Sequence, residues 1–227
     1  MILKNLSIDT KLIGNYFYFA ADTIYFDLYG KALALSLLRH APWAKIHVHL
    51  YNSSDEQRDW CNIKGISLTE ENIEIAHPEF RTLCACIRFI RVAEIFDASA
   101  RIISFDCDVI ANNPIPRELF IKETEESGVT IRKGGKSLAS SIAFGLDDFR
   151  DEYRQRLLDQ FEKDNIYWFL DQDVLDKMKS ENKIRPLGTN WNSTKMTPDR
   201  MIWTAKGTLK NDKTQYVDLL TYYNSLL

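Results

Sequence analysis

Runs of apolar residues with two different periods alternate along the first half of the chain. The aromatic segment 15–20 and the alternating segment 46–51 are typical of strands, since successive side chains of a strand point to opposite faces. The segments between the strands show apolar residues at helical spacing. We expect strands over 15–20, 46–51, 73–75 and 101–105, and helices over 28–40, 54–61 and 81–96. Strands that alternate with helices favour an α/β fold, with a parallel sheet and helices on both faces.

The second half of the chain is less regular. Asp147 or Asp148 is expected to cap a helix, because the apolar residues from 149 to 161 recur every fourth position. We further expect strands over 128–132 and 140–144, a helix that starts at Asp171, a polar loop over 190–198 and an amphipathic helix over 216–227. No repeat, low-complexity tract or linker is visible, so we predict a single domain over residues 1–227.

Composition narrows the classes of function. Hydrophobic residues make up 45% of 227, enough for a full core, and the formal net charge of -3 gives no reason to expect a nucleic-acid partner. The cysteines form neither a redox nor a zinc motif and are expected to be reduced thiols. No signal peptide or bilayer-spanning apolar stretch is seen, so we expect a cytoplasmic protein without stable membrane insertion.

The acidic triplet Asp106-Cys107-Asp108 closes the apolar segment 101–105 and is the most informative motif. Two carboxylates that leave a strand two residues apart lie on one side and repel each other unless a cation lies between them. A hard divalent cation such as Mn²⁺ or Mg²⁺ prefers such oxygen ligands and can also hold a phosphate. The alternative is a strand that simply exits into solvent.

The end of the first strand carries a second motif. The small residues Ala20 and Ala21 leave room for a flat ring, Asp22 can accept a hydrogen bond from a base, and Tyr25 can stack on it. The alternative is an ordinary helix cap with Tyr25 in the core.

Three further motifs have weaker signals. Arg88 and Arg91 lie one helical turn apart, and such side chains hold phosphate or carboxylate groups in a bidentate fork, unless they are solvated residues of an amphipathic helix. The triplet Asp171-Gln172-Asp173 opens a helix, where acids also serve as caps. A glycine and two lysines, Lys206, Gly207 and Lys210, form a basic turn that can close over phosphates.

In this order the motifs resemble the retaining nucleotide-sugar glycosyltransferases of the GT-A fold, in the group of glycogenin and the bacterial lipooligosaccharide galactosyltransferases. The resemblance runs from about residue 16 to 210. It implies a Rossmann-like, mixed but mostly parallel sheet flanked by helices, with a nucleotide-binding half at about 1–115 and an acceptor half at about 116–227. It also implies an Mn²⁺-dependent enzyme that moves a hexose from a UDP-sugar to a saccharide or other hydroxyl acceptor.

The same resemblance implies residue roles. Ala20, Ala21, Asp22 and Tyr25 hold uracil, and Arg88 binds the donor. Asp106-Cys107-Asp108 binds the metal, through Asp106 and Asp108, and the donor. Asp171 contacts the donor sugar, Gln172 lies beneath its reacting carbon, and Gly207 and Lys210 match a glycine and a lysine that bind the diphosphate. We expect Lys206 to add positive charge beside them as this segment closes. Apart from the resemblance, the aromatic residues Tyr167, Trp168, Trp191 and Trp203 are candidates for stacking on a sugar ring, with packing in the core or at its rim as the alternative.

Two departures separate the chain from that family. Thr204 stands where the family has a histidine as the third metal ligand, and the segment 140–145 lacks an asparagine that touches the donor sugar.

Two other interpretations of the function stay open. One is a phosphatase of the haloacid dehalogenase type, in which Asp106 is a nucleophile and Asp147-Asp148 a later acidic motif. The other is a nucleotide-sugar-binding protein without catalytic activity, disabled at Thr204.

Overall fold

A mixed sheet of seven strands runs through the part of the chain that the computed structural model describes, namely residues 6, 8–73, 79–132, 134–193, 197, 199–204 and 214–226. Its order is β3-β2-β1-β4-β7-β6-β8, and β5 pairs with β9 in a separate ribbon. The strands are β1 (Asn15–Asp22), β2 (Lys45–Tyr51), β3 (Ser67–Glu71), β4 (Arg101–Phe105), β5 (Val109–Ala111), β6 (Gly128–Ile131), β7 (Ser137–Phe144), β8 (Arg185–Pro186) and β9 (Ile202–Thr204). The predicted mixed, mostly parallel α/β fold is confirmed.

The order of the strands in the sheet reverses at β1. Strands β2 and β3 extend the sheet on one side of β1, while β4 lies parallel to β1 on the other side, with Phe19 opposite Phe105. The carboxyl ends of β1 and β4 therefore meet where the strand order reverses, which is the usual ligand position in open α/β sheets. Beyond β4 the sheet is mixed: β7 runs antiparallel to β4, with Ser141 opposite Phe105, and antiparallel to β6, whereas β8 lies parallel to β6.

Each face of the sheet is covered by helices because β1 is apolar on both faces. Tyr16, Tyr18 and Ala20 face one core cluster, whereas Phe17 and Phe19 face the other. The helices are α1 (Lys31–His40), α2 (Asp55–Ile63), α3 (Phe80–Ile95), α4 (Arg117–Glu123), α5 (Phe149–Glu162), α6 (Leu170–Ser180) and α7 (Thr214–Asn224). The first cluster takes side chains from α3, α5 and α6, and the second from α1, α2 and α4.

Several element boundaries differ from the sequence-based expectations. The third strand is Ser67–Glu71, so the strand expected at 73–75 is wrong at residue 73, and residues 74 and 75 lie outside the described part. Helix α6 starts at Leu170 rather than Asp171, because Phe169 occupies the N-cap position with a left-handed backbone at φ 78°. The helical turns ahead of α1 begin earlier than predicted, at Thr23.

The ribbon of β5 and β9 packs against the C-terminal helix. Ile110 of β5 and Trp203 of β9 form a small cluster with Tyr216 and Tyr223 of α7. Tyr216 also donates its hydroxyl to the backbone carbonyl of Asp108 at 2.7 Å, which ties α7 to the acidic triplet. Among the described helices, none combines the length and apolar character that a bilayer span requires.

Candidate active site

The acidic triplet lies in the turn between β4 and β5, at the position where β1 and β4 end. The backbone N–H of Asp106 donates to the carbonyl of Ser140 on β7 at 3.0 Å, so the turn is fixed to two strands. Asp108 is buried, whereas the Asp106 side chain is 22% exposed. Both acids line one cavity of about 540 Å³, so the structure brings them together.

The residues predicted to bind the nucleotide converge on that same cavity. It is lined by the small residues of β1, by the turn that follows and by the acidic triplet. The predicted residues among its lining are Ala20, Ala21, Asp22, Tyr25, Arg88, Asp106, Cys107 and Asp108. They come from the ends of β1 and β4 and from α3, three elements that are distant in sequence.

Asp22 and Tyr25 show how the first-strand motif is held. One oxygen of Asp22 accepts the backbone N–H of Tyr25 at 2.8 Å, which is the cap bond of the turn that follows β1. A carboxylate has two oxygens, so this bond leaves acceptor capacity for a base N–H. The Tyr25 ring is 38% exposed, and the alternative of a core tyrosine is therefore wrong.

Arg88 is a buried cation between the acidic triplet and α6. Its Nη1 lies 2.5 Å from Oδ1 of Asp106, and its Nη2 lies 4.0 Å from Oδ2 of Asp171. It also donates to the backbone carbonyls of Phe105 at 3.3 Å and Ala139 at 3.2 Å. Burial alone would lower the pKa of Arg88, but Asp106 and Asp171 outweigh it and hold the pKa above its usual value. Arg88 is therefore always charged and places a fixed positive charge beside the acidic triplet at the end of β4.

Arg91, one turn further along α3, braces the fold away from that site. It is 1% exposed and pairs with Glu71 of β3 and with Glu94, each at 2.5 Å. Glu94 also accepts from Arg154 of α5 at 2.9 Å, and Glu71 binds Nε2 of His49 at 2.8 Å. Burial raises the pKa of Glu71, but His49 and Arg91 outweigh it and lower that pKa to about 2. The alternative of solvated arginines is wrong for both Arg88 and Arg91.

A second, smaller cavity of about 190 Å³ adjoins the first and shares Arg88, Asp106 and Trp168 with it. Asp171 and Gln172 line this second cavity at the start of α6. Asp171 is 6% exposed, and its Oδ1 accepts the backbone N–H of Gln172 at 2.9 Å. The second cavity is therefore where the predicted catalytic pair lies.

The tryptophans divide into two groups. Trp191 is 0% and Trp203 is 6% exposed, so both are core residues. Trp168 is 55% exposed and lines both cavities, a position open to a ring of a ligand.

Arg132, which also lines the second cavity, was missed by sequence reasoning, because in the sequence it belongs only to a basic turn.

Fewer metal ligands are found than the family pattern requires. No group of three or more histidine, cysteine, aspartate or glutamate side chains suited to an ion occurs in the described part of the chain. Asp106 and Asp108 are oxygen donors of the type that Mn²⁺ and Mg²⁺ take, so they fit a two-carboxylate site that phosphate oxygens complete. Lys206, Gly207 and Lys210 lie outside the described residues.

Thr204 lies next to the acids but in the core. It is directly opposite Val109, the residue that follows Asp108, across the ribbon of β5 and β9. It is 0% exposed, and its hydroxyl has no hydrogen-bond partner among the described residues. A buried hydroxyl without a partner costs free energy, which a ligand at this place would offset.

Comparison with known proteins gives a match in fold and none in sequence. No family model and no curated protein matches the chain. Among solved structures, the galactosyltransferase LgtC, in complex with donor and acceptor sugar analogues, superposes with a TM-score of 0.64 at 14% identity, over 93% of this chain and 96% of its own. The glycosyltransferase GlyE of Streptococcus pneumoniae gives 0.60 at 16% identity, over 96% of this chain and 64% of GlyE.

The bifunctional glycosyltransferase WbbM gives a TM-score of 0.66 at 14% identity, over 98% of this chain and 51% of WbbM. The chain thus spans nearly all of LgtC but about half of WbbM. These matches confirm the predicted resemblance to glycosyltransferases and the GT-A class of fold.

Proposed function

We propose that this chain, which has the fold of the GT-A glycosyltransferases, transfers a hexose from a UDP-sugar to a hydroxyl acceptor, with a divalent cation and with retention. The observation that carries the proposal is the larger cavity, which gathers every described residue of the predicted nucleotide site. Its position at the reversal of strand order is the one at which α/β sheets bind nucleotides. LgtC, which shares the fold, was solved with donor and acceptor sugar analogues.

The nucleotide is oriented by the end of β1. Ala20 and Ala21 are buried and lack side-chain bulk, so a flat base can approach the backbone. Asp22 accepts a base N–H with the oxygen that is not engaged by Tyr25, and the exposed Tyr25 ring stacks on the base. An acceptor carboxylate matches the N–H of uracil.

The diphosphate lies over the acidic triplet. Asp106 and Asp108 would hold Mn²⁺ or Mg²⁺, and Arg88 holds the Asp106 carboxylate in place through the contact at 2.5 Å. Such an ion, when bound, neutralises the charge that develops on the leaving diphosphate. Lys206 and Lys210 are proposed to add positive charge from the segment that follows β9.

The sugar occupies the smaller cavity, where Asp171 and Gln172 lie. Asp171 accepts hydrogen bonds from sugar hydroxyls, and the Arg88 guanidinium lies 4.0 Å from its carboxylate. The Gln172 amide oxygen is proposed to stabilise positive charge on the reacting carbon as the diphosphate leaves. An amide is a poor nucleophile, so the acceptor hydroxyl attacks the reacting carbon from the face that the diphosphate has left. The bond from that carbon to the diphosphate oxygen breaks, the departing diphosphate takes the hydroxyl proton, and configuration is retained.

The proposal is tested by isothermal titration of UDP with and without Mn²⁺, followed by an assay of UDP release from a panel of UDP-sugars. We expect metal-dependent UDP binding and release from one donor. Asp108→Asn should lower turnover at least about 100-fold, because one stabilising group of the leaving diphosphate is lost. Asp148→Asn is the matched control, since Asp148 is exposed and its side chain makes no cap bond. Absence of UDP binding in both conditions would refute the proposal.

The phosphatase reading has less support. It uses Asp147 as a later acidic motif, but the two oxygens of Asp147 accept the backbone N–H and the hydroxyl of Ser127, each at 2.6 Å. These bonds hold the connection between β7 and α5, which is a structural task. Hydrolysis of a simple phosphate ester, without any binding of UDP, would restore this reading.

The non-catalytic reading has one observation in its favour, namely Thr204 in the place of a ligand. Binding of UDP without turnover of any donor in the panel would establish it in place of the transferase. The two outcomes separate cleanly, because binding and release are measured independently.

A further inference from the structure

The smaller cavity has one charge that the proposed chemistry does not use. Its charged lining residues are Arg88, Asp106, Asp171 and Arg132. The first three form one group, since Arg88 lies 2.5 Å from Asp106 and 4.0 Å from Asp171. Arg132 is exposed, and no carboxylate of the described residues lies within ion-pair distance of it. A guanidinium thus lines the cavity without a counter-charge from the described part of the protein.

The position of Arg132 is fixed by the hairpin of β6 and β7. The backbone N–H of Gly135 donates to the carbonyl of Arg132 at 2.9 Å and closes the turn. Two contacts tie that turn to α6: Ser137 donates its N–H to Asp176 at 2.7 Å, and the Lys179 ammonium binds the carbonyl of Gly135. Since α6 also carries Asp171, Arg132 is held at a set place relative to the proposed sugar site.

Aromatic side chains lie on the same cavity. Trp168 and Phe169 are 55% and 51% exposed, and both line it. Phe169 holds a left-handed backbone at φ 78°, a conformation that costs free energy for a residue with a side chain and that often marks functional sites. Exposed rings beside hydrogen-bonding groups suit the apolar face of a sugar.

We propose, on the basis of the function above, that the smaller cavity binds an acidic sugar and that Arg132 holds its carboxylate or phosphate group. The guanidinium presents a planar fork of donors that matches either group with two parallel hydrogen bonds. At about 190 Å³ the cavity is on the scale of the donor sugar ring, so the acidic group that Arg132 holds lies either on that ring or on an acceptor sugar that approaches it. Arg132 is thus a specificity-determining residue.

The donor arm of the test measures binding of UDP-glucuronate against UDP-glucose, and of UDP-galacturonate against UDP-galactose, in the presence of Mn²⁺. An acid on the donor predicts about five- to tenfold tighter binding of one uronate than of its neutral counterpart, the range of a charge-assisted contact at a partly exposed site. Arg132→Gln should abolish that preference, because the affinity for the uronate should fall further than the affinity for its neutral counterpart. Arg132→Lys should keep part of it, because charge stays and the fork is lost.

The acceptor arm uses the protein saturated with Mn²⁺ and the neutral UDP-sugar of the donor arm, so that the place of the donor sugar is filled, and follows binding of glucuronate, glucose 6-phosphate and glucose by ligand-observed NMR. A preference for an acidic sugar that Arg132→Gln removes places the acid on the acceptor. Arg117→Gln is the matched control in both arms, since Arg117 is an exposed arginine on α4. It should leave every preference unchanged.

Two negative results of these binding experiments have different meanings. If UDP binds but neither arm shows a preference that depends on Arg132, this inference is wrong and the proposed function stands. If no UDP or UDP-sugar binds at all, the proposed function and this inference are both wrong.

Discussion

Arg88 is a buried cation, and replacing it with methionine tests how the end of β4 is held together. Methionine keeps a long apolar side chain in the core but removes the guanidinium. The change breaks the 2.5 Å contact with Asp106 and the bonds to the carbonyls of Phe105 and Ala139. It also leaves Asp106 and Asp171 close together without their shared cation. Arg88→Met should therefore destabilise the protein strongly.

The magnitude follows from what stays behind in the core. Removing one partner of a buried ion pair costs about 3–5 kcal/mol, because the other charge is left unpaired. The Asp106 side chain is 22% exposed, so water can solvate it in part and the cost lies near the lower limit. We expect a loss of about 3 kcal/mol in the free energy of unfolding, a large share of the ~5–15 kcal/mol that folded domains have.

The measurement is urea-induced unfolding at pH 7, followed by tryptophan fluorescence, for Arg88→Met, Asp106→Asn and the double variant. Because the asparagine removes the carboxylate that has lost Arg88, the double variant should be more stable than Arg88→Met by about 1–2 kcal/mol. The reasoning is refuted if Arg88→Met costs less than about 1 kcal/mol, or if the double variant is no more stable than Arg88→Met alone.

Three further predictions concern packing, acid stability and the metal. Gly145→Ala should destabilise the protein by about 1–3 kcal/mol in the same urea assay, because a Cβ there would lie 2.7 Å from the backbone of Glu126. Gly128→Ala is the control, since its Cβ would have ordinary contacts at 3.5 Å. Equal losses of stability in the two variants would contradict this explanation. The pKa of Glu71 is about 2 in the folded protein against about 4.3 in the unfolded chain. The stability that its carboxylate contributes is therefore present above about pH 4.3 and is lost as the pH falls toward about 2. Glu71→Gln should flatten the fall of the unfolding free energy in that window by up to about 3 kcal/mol, and an unchanged acid profile would oppose this. Thr204→His should tighten Mn²⁺ binding about tenfold in titration calorimetry if residue 204 reaches the ion, and an unchanged affinity would show that it does not.

The sequence predicts the centre of the sheet well and its edge poorly. Strands β1, β2 and β4 are apolar runs because they are buried on both faces, and all three are confirmed near the predicted bounds. Strand β3 was missed because Ser67–Glu71 is polar and only partly buried. It pairs with β2 alone, and this pairing, which makes the segment a strand, cannot be predicted from the hydrophobic pattern of the segment itself.

The site shows the same division. Asp106 and Arg88 belong to adjacent elements, so a contact between them lies within reach of motif reasoning. The position of Arg132 depends on the way the hairpin of β6 and β7 packs on α6, a contact between segments about 40 residues apart. The backbone of Phe169 is likewise set by packing, since no local signal favours a left-handed phenylalanine.

The two edges of the sheet bear on how copies of this protein can associate. An open sheet ends in free backbone groups that can recruit a strand from another molecule. One edge here is β3, whose Glu70 and Glu71 are acidic and paired with Arg58 and Arg91. The other edge is β8, only two residues long, and one of them is Pro186, which has no N–H to donate. Both edges of the seven-stranded sheet therefore discourage its extension by a strand from another molecule, which protects this sheet from strand-mediated aggregation.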